Sequence, residues 1–205
     1  MFSKGFVESR NSAQALVMKG VVYVNDRKVD KAGSFINLDS RLEVRDKTPS
    51  YVSRGGVKLE HALKTFDIDV RGKVALDVGA STGGFTDCLL QHGALKVFAI
   101  DVGYGQLHWK LRNDPRVVNI ERLNARYLKL ENLGENVDIV TIDVSFISLV
   151  KIIPSIMNVL KSNGTLVCLI KPQFEVGKGE VGKGGIVRDE TKHKEVIRKI
   201  STFLE

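Results

Sequence analysis

The stretch Asp77-Val78-Gly79-Ala80-Ser81-Thr82-Gly83-Gly84-Phe85-Thr86-Asp87 decides the fold. Val74-Ala75-Leu76 ahead of it has the character of a buried strand, and Phe85 to Gln91 has that of a helix. A strand, a tight turn rich in glycine and a helix follow one another directly. Such a backbone presses its N–H groups against a charged ligand at a helix N-terminus. A ligand crevice at this turn is the first expectation.

Working outward, apolar strand candidates at Val74–Val78, Val97–Ile100, Val117–Ile120, Val137–Asp143 and Thr165–Ile170 alternate with helix candidates at Phe85–Gln91, Gln106–Leu111 and Ile152–Leu160. Strands apolar on both faces and joined by helices predict a parallel sheet in an α/β layer fold. Ligands bind such sheets beyond the carboxyl ends of the strands. The polar residues predicted there are Asp77, Asp101, Asp143 and Lys171. Upstream, Leu59, Ala62, Leu63 and Phe66 mark one face of an amphipathic helix with Lys58 in its first turn.

The first 46 residues read differently. Ser9 is a plausible cap for a helix through Ala13, Leu16 and Val17, with Gly20 past its end. Val22 and Val24, a turn at Asn25-Asp26-Arg27-Lys28, then Val29, Phe35, Ile36, Leu38, Leu42 and Val44 read as small hairpins. The segment 45–50 has no apolar residue and contains Pro49. The expected organisation is a small α+β module at 1–46, a linker at 47–55 and the α/β domain at 56–205.

Composition narrows the function. Of 205 residues, 31 are Lys or Arg and 24 Asp or Glu, a net charge of +7 that raises the odds of a polyanionic partner. Residues 1–50 are the denser basic part, with nine Lys or Arg against six Asp or Glu. No apolar run approaches the roughly 18 residues of a membrane span, and Met1 to Gly5 lacks the apolar stretch of an export signal, so no membrane partner and a cytoplasmic location are expected. Cys88 and Cys168 read as buried thiols. His61, His92, His108 and His193 show no ligand spacing, so no metal is expected.

The turn after the first α/β strand departs from the G-x-G-x-x-G of nicotinamide sites. Its Asp-x-Gly-x-x-x-Gly-Gly form is a pattern associated with S-adenosylmethionine. Asp101 lies 17 residues beyond Gly84, where a carboxylate accepts two hydrogen bonds from ribose hydroxyls. Asp143 and Lys171 close apolar strands, which suggests an ion pair. Gly177 to Lys183 fits G-x-x-x-x-G-K, but Gly184 replaces the Ser or Thr that holds Mg²⁺, so a nucleoside triphosphate site is not expected and 176–185 reads as a basic, mobile loop.

Six runs then carry a family resemblance: Tyr51 to Leu59, Asp77 to Asp87, Asp101 to Leu107, Glu121 to Arg126, Asp143 to Leu149 and Lys171 to Glu175. The chain resembles, from about Ser9 to its C-terminus, the TlyA family of haemolysin-named proteins similar to FtsJ-type ribosomal RNA 2′-O-methyltransferases. The resemblance implies an RNA-binding module ahead of a class I, Rossmann-like methyltransferase domain, with ribosomal RNA or ribosomal subunits as partner. Residue by residue it implies catalytic Lys58, Asp143 and Lys171, matching three members of a Lys-Asp-Lys-Glu tetrad. Lys171 would hydrogen-bond the ribose 2′-hydroxyl and help remove its proton, Asp143 would orient Lys171, and Lys58 would also meet substrate phosphate.

For S-adenosyl-L-methionine it implies Asp77, Gly79, Ala80, Ser81, Thr82, Gly83, Gly84, Phe85, Asp101 and Asp143, with Asn124 near the adenine. Arg10, Lys19, Arg27, Lys28, Lys31 and Arg54 are the implied RNA contacts, made through backbone phosphates. The fourth tetrad residue is expected on a late strand beyond the helix starting near Lys192, and Glu175 is not its equivalent. The resemblance therefore implies that the family's last strands and part of its first helix are missing here. An RNA-binding protein that keeps the fold without catalysis is the alternative, and a membrane-acting haemolysin a more distant one.

Overall fold

The computed structural model describes residues 1–7, 9–45, 50–177 and 179–205. They form two units, Met1–Ser50 and Tyr51–Glu205. Glu8, Asp46 at the end of the expected module, positions 47–49 of the expected linker and Lys178 of the glycine-rich run lie outside the described residues.

In the first unit, helix α1 (Arg10–Met18) starts where the Ser9 hydroxyl accepts the Ser12 N–H at 3.1 Å. Strand β1 (Val22–Val24) lies between β2 (Arg27–Lys28) and β3 (Leu42–Val44) in an antiparallel sheet, with Val17 and Val22 buried. Asn25 and Asp26 have φ of 46° and 64°, as a two-residue hairpin turn with primed geometry requires. The turn is thus shorter than expected, and Arg27 and Lys28 are strand residues. Phe35, Ile36 and Leu38 are exposed and lie in no strand, because a sheet of three short strands offers them no surface to pack against.

The second unit begins with α2 (Gly55–Thr65), which buries Leu59 and Leu63 while Phe66 at its end stays exposed. It continues through β4 (Val74–Val78), α3 (Gly84–Gln91), β5 (Lys96–Ile100), α4 (Trp109–Arg112), β6 (Val117–Ile120), α5 (Leu130–Leu133), β7 (Val137–Ile142), α6 (Ile153–Met157), β8 (Leu160–Cys168), α7 (Pro172–Glu175) and α8 (Glu190–Leu204). The five strands β4 to β8 pair in parallel in the order β6-β5-β4-β7-β8. Alternate residues of β4 feed two cores. Val74, Leu76 and Val78 pack with Ile153, Ile156 and Ile200 on one face, and Ala75 packs with Leu59, Leu63 and Leu89 on the other. Truncating a fully buried leucine such as Leu76 to alanine costs about 2–5 kcal/mol.

Three elements differ from expectation. The helix expected at 106–111 is only α4, because the His108 Nδ1 accepts the Lys110 N–H and caps a later start. The helix expected to reach Leu160 ends at Met157, and Leu160 opens β8, whose register against β7 shifts between Val137 and Ile139. β8 stops at Cys168, two residues early, and that thiol is half-buried.

This topology fixes where a ligand fits. From β4 the chain passes to β5 and β6 on one side, then crosses back to β7 on the other. The crevice beyond the carboxyl ends of β4 and β7 is the switch point where ligands bind in open parallel sheets.

Candidate functional site

The turn that closes β4 shapes one wall of the crevice. Gly79 has φ of 82°, and a Cβ built there would lie 2.7 Å from the Asp143 carbonyl oxygen, so a side chain would push the two central strand ends apart. Gly84, the first residue of α3, lies against the backbone of Gly55 and Gly56, where its Cβ would meet the Gly56 nitrogen at 2.9 Å. The two glycine pairs thus let the starts of α2 and α3 meet backbone to backbone. Asp87 on α3 secures the approach by accepting the Val52 N–H at 2.8 Å, which aims Ser53, Arg54 and Lys58 at the crevice.

Two carboxylates set the shape of the turn. Asp77 is buried beneath it and accepts the Thr86 N–H at 2.9 Å and the Thr86 hydroxyl at 2.7 Å. Burial, opposed by those Thr86 bonds, pushes its carboxyl up to about 6, with the Asp143 charge adding in the same direction. Asp101, at the end of β5, accepts the Ser81 N–H at 2.9 Å through Oδ2 and the Gly103 N–H at 2.7 Å through Oδ1.

Around this turn are two adjoining cavities. One, of about 520 Å³, is lined by Ser53, Arg54, Lys58, the Gly79–Thr82 turn, Gly84, Phe85, Asp143, Ser145 and Lys171. The other, of about 460 Å³, shares Gly79, Ser81, Asp143 and Ser145 and extends past Asp101, Val102 and Asn124 to Phe146. A larger space of about 650 Å³ in the first unit is lined mainly by Val17, Val22, Val24, Ile36 and Leu42 and has no cluster of opposed charges. It is also lined by Arg10 and Lys31 but by no carboxylate, whereas opposed ionisable groups converge in the crevice.

At the crevice floor, Asp143 Oδ1 lies 2.6 Å from Lys171 Nζ and Oδ2 lies 3.9 Å from Lys58 Nζ. The ion pair expected between Asp143 and Lys171 forms. Oδ1 accepts no directed hydrogen bond, and the ammonium of Lys171 donates to the Ser145 hydroxyl at 3.0 Å. Lys171 and Asp143 are about one-fifth exposed and Lys58 about half, so the pair faces the cavity while Lys58 reaches toward solvent.

The structure brings together residues drawn from six separate segments: Lys58, Gly79 to Phe85, Asp101, Asn124, Asp143 and Lys171. Gly83 shapes the turn from outside both cavities as the α3 N-cap. Asn124 uses its side-chain oxygen to cap the Arg126 N–H at 3.1 Å while lining the second cavity. Arg10, Lys19, Arg27, Lys28 and Lys31 belong to the other unit and are exposed. Among the described residues no cluster could hold a metal, and no helix is long and apolar enough to cross a membrane.

Sequence reasoning missed Ser145, Phe146 and Phe174. Phe146 is 91% exposed with φ of 65°, and its ring centroid lies 5.2 Å from that of Phe174 beside Lys171. The only available signal was their place next to Asp143 and Lys171 in the two motifs.

A parallel sheet with this strand order, a glycine turn tied to the next strand by a carboxylate, and an ionic cluster at the switch point define a class I methyltransferase fold. Residues 51–205 match the FtsJ-like methyltransferase family and residues 1–42 the S4 domain. The chain is 48% identical to Hemolysin A of Brachyspira hyodysenteriae, over 95% of its own length and 81% of that protein's. It is also 48% identical to the 16S/23S rRNA (cytidine-2′-O)-methyltransferase TlyA of Mycobacterium tuberculosis, over 91% of this chain and 70% of that one. A solved structure from Streptococcus thermophilus, described as a hemolysin candidate, superposes with a TM-score of 0.76 at 42% identity, covering 98% of this chain and 74% of that one. The chain belongs to the TlyA family of FtsJ-like methyltransferases.

Proposed function

We propose that this protein methylates ribose 2′-hydroxyls of ribosomal RNA with S-adenosylmethionine, working in the cytoplasm on ribosomal subunits or their RNA. The single observation that carries this reading is the Lys171–Asp143–Lys58 cluster opening into the same crevice as the Gly79–Gly84 turn.

The crevice suits the cofactor. Gly79 leaves room where a Cβ would collide with Asp143, the turn exposes backbone at Ser81 and Thr82, and Asp101 and Asn124 lie beside the second cavity. Gly79 to Phe85 would hold the methionine portion, Asp101 the ribose hydroxyls and Asn124 the adenine. Asp77 serves from beneath by fixing Thr86 at the start of α3. When bound, S-adenosylmethionine supplies an electrophilic methyl carbon.

The chain's own residues do the rest. A ribose hydroxyl is a weak nucleophile, so most of the acceleration comes from holding it in line, worth up to roughly 7–11 kcal/mol in well-oriented systems. Lys171 binds the 2′-oxygen and, once its ammonium has released a proton to solvent, accepts the hydroxyl proton as the O–CH₃ bond forms, while Asp143 fixes the lysine's direction at 2.6 Å. Lys58, more exposed, meets the substrate phosphate. Phe146, presented to solvent beside Phe174, offers a face on which a base stacks. Arg54 at the crevice and Arg10, Lys19, Arg27, Lys28 and Lys31 on the S4 domain contact RNA backbone.

Purified protein incubated with labelled S-adenosylmethionine and ribosomal subunits is expected to incorporate label at ribose 2′-oxygens, located by mapping. Cofactor binding without incorporation into any ribosomal RNA would favour the non-catalytic RNA-binding alternative.

A further inference from the structure

Glu175 is a buried carboxylate in the Lys171 motif that the proposed mechanism leaves without a task. Its Oε2 accepts the Ser148 hydroxyl at 2.6 Å, and its Oε1 accepts the Leu149 N–H at 2.7 Å at the start of the 3₁₀ turn Leu149–Lys151. Its own carbonyl accepts the Lys199 ammonium from α8 at 3.0 Å. One residue therefore ties three stretches of chain, and two of them carry the site. Asp143, Ser145 and Phe146 lie just before the clamped Ser148, and Lys171 and Phe174 just before Glu175 itself.

The loop between Asp143 and Ser148 holds a conformation that its sequence does not favour. Phe146 has φ of 65°, a left-handed backbone that a bulky side chain avoids unless surrounding contacts impose it. On the near side Ser145 accepts from Lys171, and on the far side the loop is fixed by the Glu175 clamp at Ser148 and Leu149. Released there, the loop would relax, and the spacing of Asp143 and Ser145 from Lys171 would relax with it.

We infer that Glu175 is a positioning residue for methyl transfer: through Ser148 and Leu149 it holds the Asp143–Phe146 loop against the Lys171–Phe174 segment. This inference rests on the function proposed above for the same site. A carboxylate suits the task because it accepts from two donors at once, and charge-assisted bonds of this kind are shorter and stronger than neutral ones.

The test compares the unaltered protein with Glu175→Ala and Glu175→Gln, measuring kcat, the Kd for S-adenosylmethionine, the melting temperature and amide hydrogen exchange across 144–150. Glu175→Ala is expected to lower kcat by about 100-fold, the scale set by small misplacements of catalytic groups, with cofactor Kd nearly unchanged and exchange at Leu149 accelerated. Glu175→Gln is expected to recover most of kcat, since its carbonyl accepts from Leu149 and its amide donates to the Ser148 oxygen.

An unchanged kcat in Glu175→Ala overturns the inference, as does a loss that Gln fails to rescue while melting temperature and cofactor affinity fall in step. Should Glu175→Ala not fold, Ser148→Ala decides, because it removes one arm only: lowered kcat at unchanged melting temperature supports the clamp and unchanged kcat refutes it. If the unaltered protein transfers no methyl group, the proposed function fails, and hydrogen exchange alone judges the clamp.

Discussion

The Ser81 backbone N–H donates to Asp101 Oδ2 at 2.9 Å, so the end of β5 holds the turn that follows β4. Ser81 has φ of 49°, a strained setting that a charged acceptor stabilises. Asp101→Ala is expected to raise the Kd for S-adenosylmethionine by about 10- to 100-fold, the equivalent of losing one charge-assisted hydrogen bond. Isothermal titration calorimetry checks this, and an unchanged Kd would remove Asp101 from the cofactor's surroundings.

Lys171→Ala is expected to reduce methyl transfer by about 100-fold or more, the range of a lost general acid–base group, while cofactor affinity stays nearly constant. Lys171→Arg should not restore it, because the planar guanidinium, with its longer reach and fixed donor directions, does not take the place of the compact ammonium that lies 2.6 Å from Asp143 and bonds Ser145. Single-turnover transfer to ribosomal RNA separates the two steps.

Gly79→Ala is expected to abolish cofactor binding and to lower stability by roughly 1–2 kcal/mol from the left-handed backbone alone, before the contact with the Asp143 carbonyl is counted. Denaturant unfolding measured beside calorimetry distinguishes this from a local change at the turn.

Stability should carry a pH signature from Asp77. Its carboxyl titrates near 6 when folded against 3.8 ordinarily, so between those values the folded chain binds a proton that the unfolded chain has released. The contribution is fully present at acid pH and is lost as pH rises from about 4 to 6. Asp77→Asn lacks this loss, and its stability relative to the unaltered protein should rise across that window by at most about 3 kcal/mol. Urea unfolding at several pH values reads the difference, and a constant difference would contradict it.

Binding to ribosomal RNA should weaken with salt, and replacing Arg27, Lys28 or Lys31 with alanine should reduce the slope of log K against log salt by about one per cation that meets a phosphate. Filter binding over a salt series tests each position. An unchanged slope would mean that the residue meets no phosphate.

Much of the α/β unit was legible because its strands are apolar on both faces and end in ionisable residues. Val117–Ile120 matches β6, and Val74–Val78 matches β4. The meeting of Asp143 with Lys171 could be anticipated from cost alone, since each follows an apolar strand and neither is largely buried cheaply without the other. Less legible was anything set by tertiary contact. Ile36 and Leu38 alternate like strand residues yet stay exposed, and Gln106 to Leu111 looks helical until His108 takes the cap. Phe146 lay furthest from reach, because its exposure depends on a backbone angle that a phenylalanine in that sequence does not announce.

The strand order also has a consequence for assembly. β4 pairs on one side with β5, which follows closely in sequence, but on the other with β7, more than sixty residues later. Closing that long connection costs chain entropy that the local pairing does not. A polypeptide emerging from synthesis can therefore shape the glycine turn early, yet its reactive floor arrives only when the distal half docks. Until then the Lys171–Asp143 pair is not assembled, and it forms in the same event that pairs β7 with β4 and β8 with β7.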